Sequence, residues 1–267
     1  MGSQVTSGEG LLAWSPAGGL RPAEDAAPGG RLLVADSWLV RDGRVRALDR
    51  HKARFLRSCG ECGGPPLHRL LEFWHDMTAA LPRTGAWFPR VELAPGSMEL
   101  RLRLRHTPPL RSEARVWAVG QSDPRTVPRR KGPDLDTLAR VRGRASGAGA
   151  EEAVLVAPTG IVLEAATASV LWWEGDTLCL PSPRLPVLPG VTVALIQERA
   201  QRSGIRLAHP ERTLAELGGR EVWLVNALHG IRPVTEWVGE PLRAPRAARA
   251  GEWRTWLDDA MESLPGH

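Results

Sequence analysis

Amines are the scarcest reactive side chains in this chain. Its 267 residues include 35 basic side chains, yet only Lys52 and Lys131 are lysines. Chemistry that needs a lysine amine therefore has two candidates. The thiols are Cys59, Cys62 and Cys179. Cys59 and Cys62 have CxxC spacing, but a zinc site needs two more ligands and no second pair follows. His51, His68 and His75 match no common zinc module, and a basic helical segment precedes the motif where a redox pair would want a strand. Structural thiols and no metal are the expectation.

Two other patterns could handle anions. Gly190-Val191-Thr192 opens a helix. Backbone N–H groups at a helix start bind phosphate, and the threonine hydroxyl adds a donor; a plain glycine-turn helix start is the alternative. Leu100, Leu102 and Leu104 alternate with Arg101, Arg103 and Arg105. That row is a solvated sheet face, or one of its arginines binds an anion.

Composition narrows the class. Apolar residues make up 42% and charged residues 24%, which excludes a mostly disordered chain. No apolar run reaches the roughly 18 residues of a membrane helix, so no membrane association is expected. The start, MGSQVTSGEG, has no basic-then-apolar leader. With an odd cysteine count this implies a reduced, cytoplasmic protein. The net charge is +5, but the basic residues are scattered among 30 acids, and no nucleic-acid partner is expected. Tyrosine is absent while tryptophan occurs 11 times.

The elements that must hold these residues read as follows. Residues 1–30 are rich in Gly, Ala and Pro and are expected as loop or weakly ordered. Strands are expected at 31–40, 44–48, 87–93, 98–106 and 114–119, with helices at 50–59 and 68–81. The second helix is marked by Leu70, Leu71, Trp74, Met77 and Leu81. Together, 31–120 form a small α/β domain of α+β character. Residues 121–130 have the composition of an interdomain linker. Residues 131–267 form a larger α/β domain, with helices at 134–147 and 191–203 and a hairpin across Glu174-Gly175-Asp176.

The second half carries five separated motifs in one order. They are Lys131-Gly-Pro-Asp-Leu, Gly149-Ala-Glu-Glu-Ala-Val-Leu-Val, Gly160-Ile-Val-Leu-Glu164 running on to Ser169-Val-Leu-Trp-Trp, Leu188-Pro-Gly190-Val191-Thr192, and Val225-Asn226-Ala227-Leu228-His229 leading to Pro233-Val234. In this the chain resembles the class IV aminotransferase family, the fold-type IV pyridoxal phosphate enzymes, over about residues 31–240. The resemblance implies an α/β fold of two domains, an α+β N-terminal one and a barrel-like α/β C-terminal one, with the cofactor at their interface. It implies pyridoxal 5'-phosphate as cofactor and a homodimer. Lys131 matches the Schiff-base lysine, which also shuttles the substrate Cα proton. Glu164 matches the glutamate that keeps the pyridinium protonated. Gly190, Val191 and Thr192 match the phosphate cup, and Arg54, in His51-Lys-Ala-Arg54, matches an arginine that bonds the phosphate.

Asn226-Ala-Leu and Pro233-Val234 look most like aminodeoxychorismate lyases, which form 4-aminobenzoate and pyruvate from a small-molecule amino substrate. Arg105, Asn226 and His229 are then the candidate substrate residues. An amino acid or amine aminotransferase is the alternative, because the same Lys131 proton shift serves both reactions. Three departures from the family pattern motivate a reading of another class, a catalytically degenerate binding protein. These are Ser169 where asparagine is usual, Val193 where arginine or lysine is usual, and the lack of any tyrosine.

Overall fold

The computed structural model describes residues 8–24 and 31–266. They fall into two compact units. The first takes the described residues up to Leu110, with Arg130–Pro133 and the chain from Ala260 onward; the second takes Arg111–Arg129 and Asp134–Asp259.

Alternating apolar residues build the first unit. Its elements are β1 (Gly10–Ser15), β2 (Gly19–Ala23), β3 (Val34–Ser37), β4 (Val40–Arg41), β5 (Arg44–Val45), α1 (Leu48–Glu61), α2 (Leu67–Ala79), β6 (Ala86–Trp87), β7 (Arg90–Leu93) and β8 (Leu100–Leu104). An antiparallel sheet runs β2-β1-β8-β7-β3. On β8, Leu100, Leu102 and Leu104 are buried and the arginines take the other face, as the alternation predicts. Helix α2 buries Leu70, Phe73, Trp74 and Met77 but leaves Leu71 exposed. The helical stripe thus turns toward Phe73, whose ring meets Trp14 and Phe55.

The loop expected for 1–30 is corrected in its described part. β1 and β2 form a hairpin that adds to the edge of β8. Leu11, Leu12 and Trp14 are buried, and the Trp14 indole donates to Asp76 at 2.7 Å. Glycine and proline at the ends of these short strands mask their pattern. The rest of that expectation, over 1–7 and 25–30, lies outside the described residues.

The second unit contains β9 (Ala114–Ser122), α3 (Leu135–Gly147), β10 (Glu152–Val156), β11 (Val162–Ala165), β12 (Ser169–Glu174), β13 (Thr177–Cys179), α4 (Val191–Arg202), β14 (Arg206–Ala208), α5 (Leu214–Leu217), β15 (Val222–Asn226), β16 (Gly230–Val238) and α6 (Ala250–Asp259). Its sheet runs β11-β10-β9-β16-β15-β12-β13-β14, and β11 also pairs with β12. That extra pairing closes six strands into a barrel-like ring. Val116, Val154, Val170, Trp172 and Leu224 pack on one face of these strands. Leu171, Trp223 and Val225 turn the other way, against Ile196 of α4 and Trp253 and Leu257 of α6.

The unit boundaries differ from the expected domains. β9, an interior strand of the larger sheet between β10 and β16, begins at Ala114, so the division falls near residue 110 rather than 120. The stretch read as a 121–130 linker is pinned: Asp134 accepts from the N–H groups of Thr126 at 3.0 Å and Val127 at 2.9 Å. Arg130–Pro133 belongs with the first unit, as does β17 (Glu262–Ser263), which pairs with β5. Composition registers the prolines here but not the bonds that order them. Among the described residues no helix is long and apolar enough to cross a membrane.

Candidate functional site

Lys131 is fastened to β3 through its backbone. The Ala35 N–H donates to the Lys131 carbonyl at 2.8 Å. Gly132 has φ +135°, and a Cβ there would stand 2.8 Å from the Ala35 nitrogen and the Val34 backbone. Only glycine lets the chain lie this close. The Lys131 side chain is half-buried. Burial, helped by the charges of Arg54, Arg90 and Arg105, outweighs Asp36 and brings the amine down to about 8. A lysine at that value is partly neutral near pH 7.5 and can act as a nucleophile or base.

The charges around Lys131 are organised by Asp36, which the sequence reading did not single out. Arg54 grips its carboxylate with two donors, Nε to Oδ2 at 2.8 Å and Nη2 to Oδ1 at 2.7 Å. His51 Nδ1 lies 2.9 Å from Oδ1, and the Ser37 N–H donates to Oδ1 at 2.8 Å. Burial opposes ionisation of Asp36, but Arg54 and His51 outweigh it and hold the carboxyl well below the usual range. Burial keeps His51 below the ordinary imidazole value despite Asp36, so near pH 7 it is a neutral ring donating from Nδ1. Arg54, expected as a phosphate contact, therefore has two of its donor positions oriented by Asp36.

The arginine row is a mixed face rather than a solvated one. Glu92 is 1% exposed and accepts from Arg90 at 2.7 Å and Arg103 at 3.0 Å, while Arg101 pairs with Glu99. Arg105 makes no ion pair among the described residues. Its guanidinium lies 5.0 Å over the Phe88 ring, and Nε donates to the Phe88 carbonyl at 3.2 Å. Burial and the charges of Arg90 and Arg103 bring it down to about 10.

In the second unit the β11–β12 register sets Glu164 opposite Ser169. Gly190, the N-cap of α4, lies so close that a Cβ there would be 3.2 Å from Ser169 Oγ and 3.1 Å from Val193. Helix α4 begins at Val191 with Val191 and Thr192 buried and no acidic residue in its first turn. Glu164, Ser169 and the α4 start thus form one cluster. Glu164 is buried, accepts from Arg125 at 2.9 Å on Oε2, and takes the Leu188 N–H on Oε1. Burial pushes its carboxyl up to about 7, against the pull of Arg125 and the Leu188 N–H.

Asn226 and His229 sit at the turn between β15 and β16. The Asn226 side-chain Oδ1 accepts from the Leu228 and His229 N–H groups at 3.2 and 2.8 Å, and its Nδ2 donates to the Thr167 carbonyl at 3.2 Å. Its polar atoms shape the turn. His229 Nδ1 accepts from the Arg111 N–H at 3.3 Å, and burial followed by Arg232, Arg142 and Arg111 brings the ring down to about 3. Cys59 and Cys62 are free thiols, and burial with the neighbouring Cys62 pushes Cys59 up to about 12. It is an inert thiol at neutral pH.

A profile of the class IV amino-transferase family matches residues 33–237. Comparison with curated proteins finds no match. Among solved structures, a hypothetical aminotransferase from Mycobacterium tuberculosis with α-ketoglutarate and PMP bound is similar at TM-score 0.78 and 20% identity, covering 95% of this chain and 99% of that one. A branched-chain aminotransferase from Thermoproteus uzoniensis, solved with norvaline, is similar at 0.79 and 18% identity, covering 94% of each chain. A candidate 4-amino-4-deoxychorismate lyase from Legionella pneumophila is similar at 0.74 and 16% identity, covering 89% of this chain and 96% of that one. At such identities the likeness to each structure is one of fold. The profile spans both units and all five sequence motifs, and on that ground the chain belongs to the class IV aminotransferase family of pyridoxal-phosphate-dependent enzymes.

Proposed function

We propose that Lys131 removes the Cα proton of a carboxylate-bearing amino substrate, and that the substrate is of the aminodeoxychorismate class. The observation that carries this reading is the Lys131 amine, brought down to about 8 beside an arginine face. The side chains suit pyridoxal phosphate by their chemistry. One amine is held near neutrality. Glu164, a buried carboxylate, keeps lone pairs beyond those given to Arg125 and Leu188. A helix starts at a glycine packed against Ser169.

Lys131 would hold the cofactor covalently and Glu164 its ring nitrogen. Val191 and Thr192, with Arg54, would hold its phosphate. When bound, the cofactor supplies an electron sink that acidifies the Cα proton. The Lys131 amine would take that proton as a base. Arg105, which makes no ion pair among the described residues, binds a substrate carboxylate. In the lyase reading, loss of the Cα proton and departure of pyruvate leave 4-aminobenzoate. Asn226-Ala-Leu and Pro233-Val234 favour it. Amine transfer is the second reading, favoured by a fold neighbour that binds α-ketoglutarate and PMP.

Product analysis decides between them: aminodeoxychorismate yielding 4-aminobenzoate supports the lyase, and amino transfer from a donor panel to α-ketoglutarate supports the transaminase. A protein that develops no visible absorbance with pyridoxal phosphate, and is unaltered by Lys131→Ala, is instead a degenerate member. A homodimer is part of the same proposal, tested by light scattering for twice 29.1 kDa. A cytoplasmic setting accords with the three free thiols.

A further inference from the structure

We infer that Arg125 is a positioning residue: it joins Glu164 to the loop that delivers the start of α4, and it sets how readily the Glu164 carboxylate holds a proton. The inference rests on the reading of Glu164 as the ring-nitrogen partner.

Every donor position of the Arg125 guanidinium is engaged. Nε and Nη2 grip Asp123 in a fork, at 2.8 Å to Oδ1 and 2.8 Å to Oδ2. Nη1 reaches Glu164 Oε2 at 2.9 Å, with a long contact to the Pro128 carbonyl at 3.5 Å. Nη2 also reaches the Pro186 carbonyl at 2.8 Å. The side chain is 4% exposed. A planar fork with fixed donors holds two carboxylates and a carbonyl in one geometry, which a lysine could not do.

Those partners come from three segments. Asp123 follows β9, Glu164 lies on β11, and Pro186 belongs to the loop before α4. The same loop is tied twice more. Arg129 Nη2 donates to the carbonyls of Pro183, Arg184 and Leu185 at 2.8, 3.0 and 2.7 Å, and the Leu188 N–H donates to Glu164. Two residues after Leu188 comes Gly190. The position of the helix start is therefore coupled to the carboxylate through Arg125 and the Leu188 N–H rather than through helix capping, since the N-cap residue has no side chain.

The charges have signs that can be tested separately. The charged groups facing Glu164 are Arg125, which favours its ionised form, and Asp123, which disfavours it. Ser169, opposite on β12, is neutral. Removing the cation makes Glu164 hold its proton to higher pH, and removing the Asp123 charge makes it release the proton at lower pH. A merely structural arginine would not produce opposite shifts from two neighbours.

The experiment uses the full chain titrated with pyridoxal phosphate. Tryptophan quenching reads the dissociation constant, and the visible absorbance band of the bound cofactor reads the pH midpoint. Arg125→Met should raise the midpoint by about one to three units, the range for a charge at this distance, and weaken binding about tenfold. Asp123→Asn should lower the midpoint. Arg125→Lys, which keeps charge but loses the fork, should restore the midpoint while leaving binding weakened. If Arg125→Met does not fold, as read by circular dichroism, Asp123→Asn and Arg125→Lys still decide. Midpoints unchanged in the variants that fold, or moving in the same direction, overturn the inference. Glu164→Gln separates the two levels. If it leaves midpoint and affinity unaltered, the reading of Glu164 itself fails; if it alters them while the Arg125 and Asp123 variants do not, only the role of Arg125 fails.

Discussion

The backbone N–H of Ala35 donates to the carbonyl of Lys131 at 2.8 Å, so Lys131 is held by β3, nearly a hundred residues earlier in the chain. Gly132 makes this contact possible, because any side chain there would strike the Val34–Ala35 backbone. Gly132→Ala should destabilise the protein by roughly 1–3 kcal/mol, the cost of a strained backbone position. It should also reduce uptake of pyridoxal phosphate at temperatures where the fold persists. Thermal melting and absorbance titration check both effects.

The two lysines should separate cleanly. Lys131→Ala should abolish the visible absorbance that develops with pyridoxal phosphate, and Lys52→Ala should leave it intact. Because the amine stands at about 8, the rate of development should climb with pH up to that value and level off above it. Stopped-flow absorbance across pH 6–9 measures the curve.

Asp36 holds a buried arginine, and Asp36→Asn removes the carboxylate that Arg54 grips with Nε and Nη2. Removing one partner of a buried pair costs about 3–5 kcal/mol. The folded-state carboxyl is held below its unfolded value of 3.8. Its contribution is therefore present above that pH and is lost as pH falls further. Denaturant unfolding should show this share of the acid decline in the native protein and its absence in the variant.

Glu164 should act in the opposite sense. Its carboxyl is raised to about 7 from 4.5, so the folded protein without cofactor holds a proton that the unfolded chain has released. Between those values stability should fall as pH rises. Glu164→Gln, neutral throughout, should flatten that slope in denaturant titrations.

Helices α1, α2, α3 and α4 lie within about three residues of the ranges read from apolar spacing, because helical periodicity is a local property. The hairpin of β12 and β13 was legible for the same reason, with Gly175 in the turn between them. The alternation of β8 was legible too, but not what its arginines face, since Glu92 comes from a neighbouring strand. β1 and β2 were missed because their partner strand, β8, lies far along the chain and their own ends are rich in glycine.

By itself the sequence determined which residues are available for chemistry. With two lysines and one ordered set of motifs, Lys131, Glu164 and Gly190-Val191-Thr192 could be singled out, and the family with them. What those residues experience was decided by tertiary structure. Arg54 is oriented by Asp36 across 18 positions, and Glu164 is bound by Arg125 across 39. Arg125 sat in a stretch whose proline content reads as linker, and no local pattern announces a partner so far away. Burial and opposing charge set the acidity of each of these groups, and both arise only when distant segments are brought together.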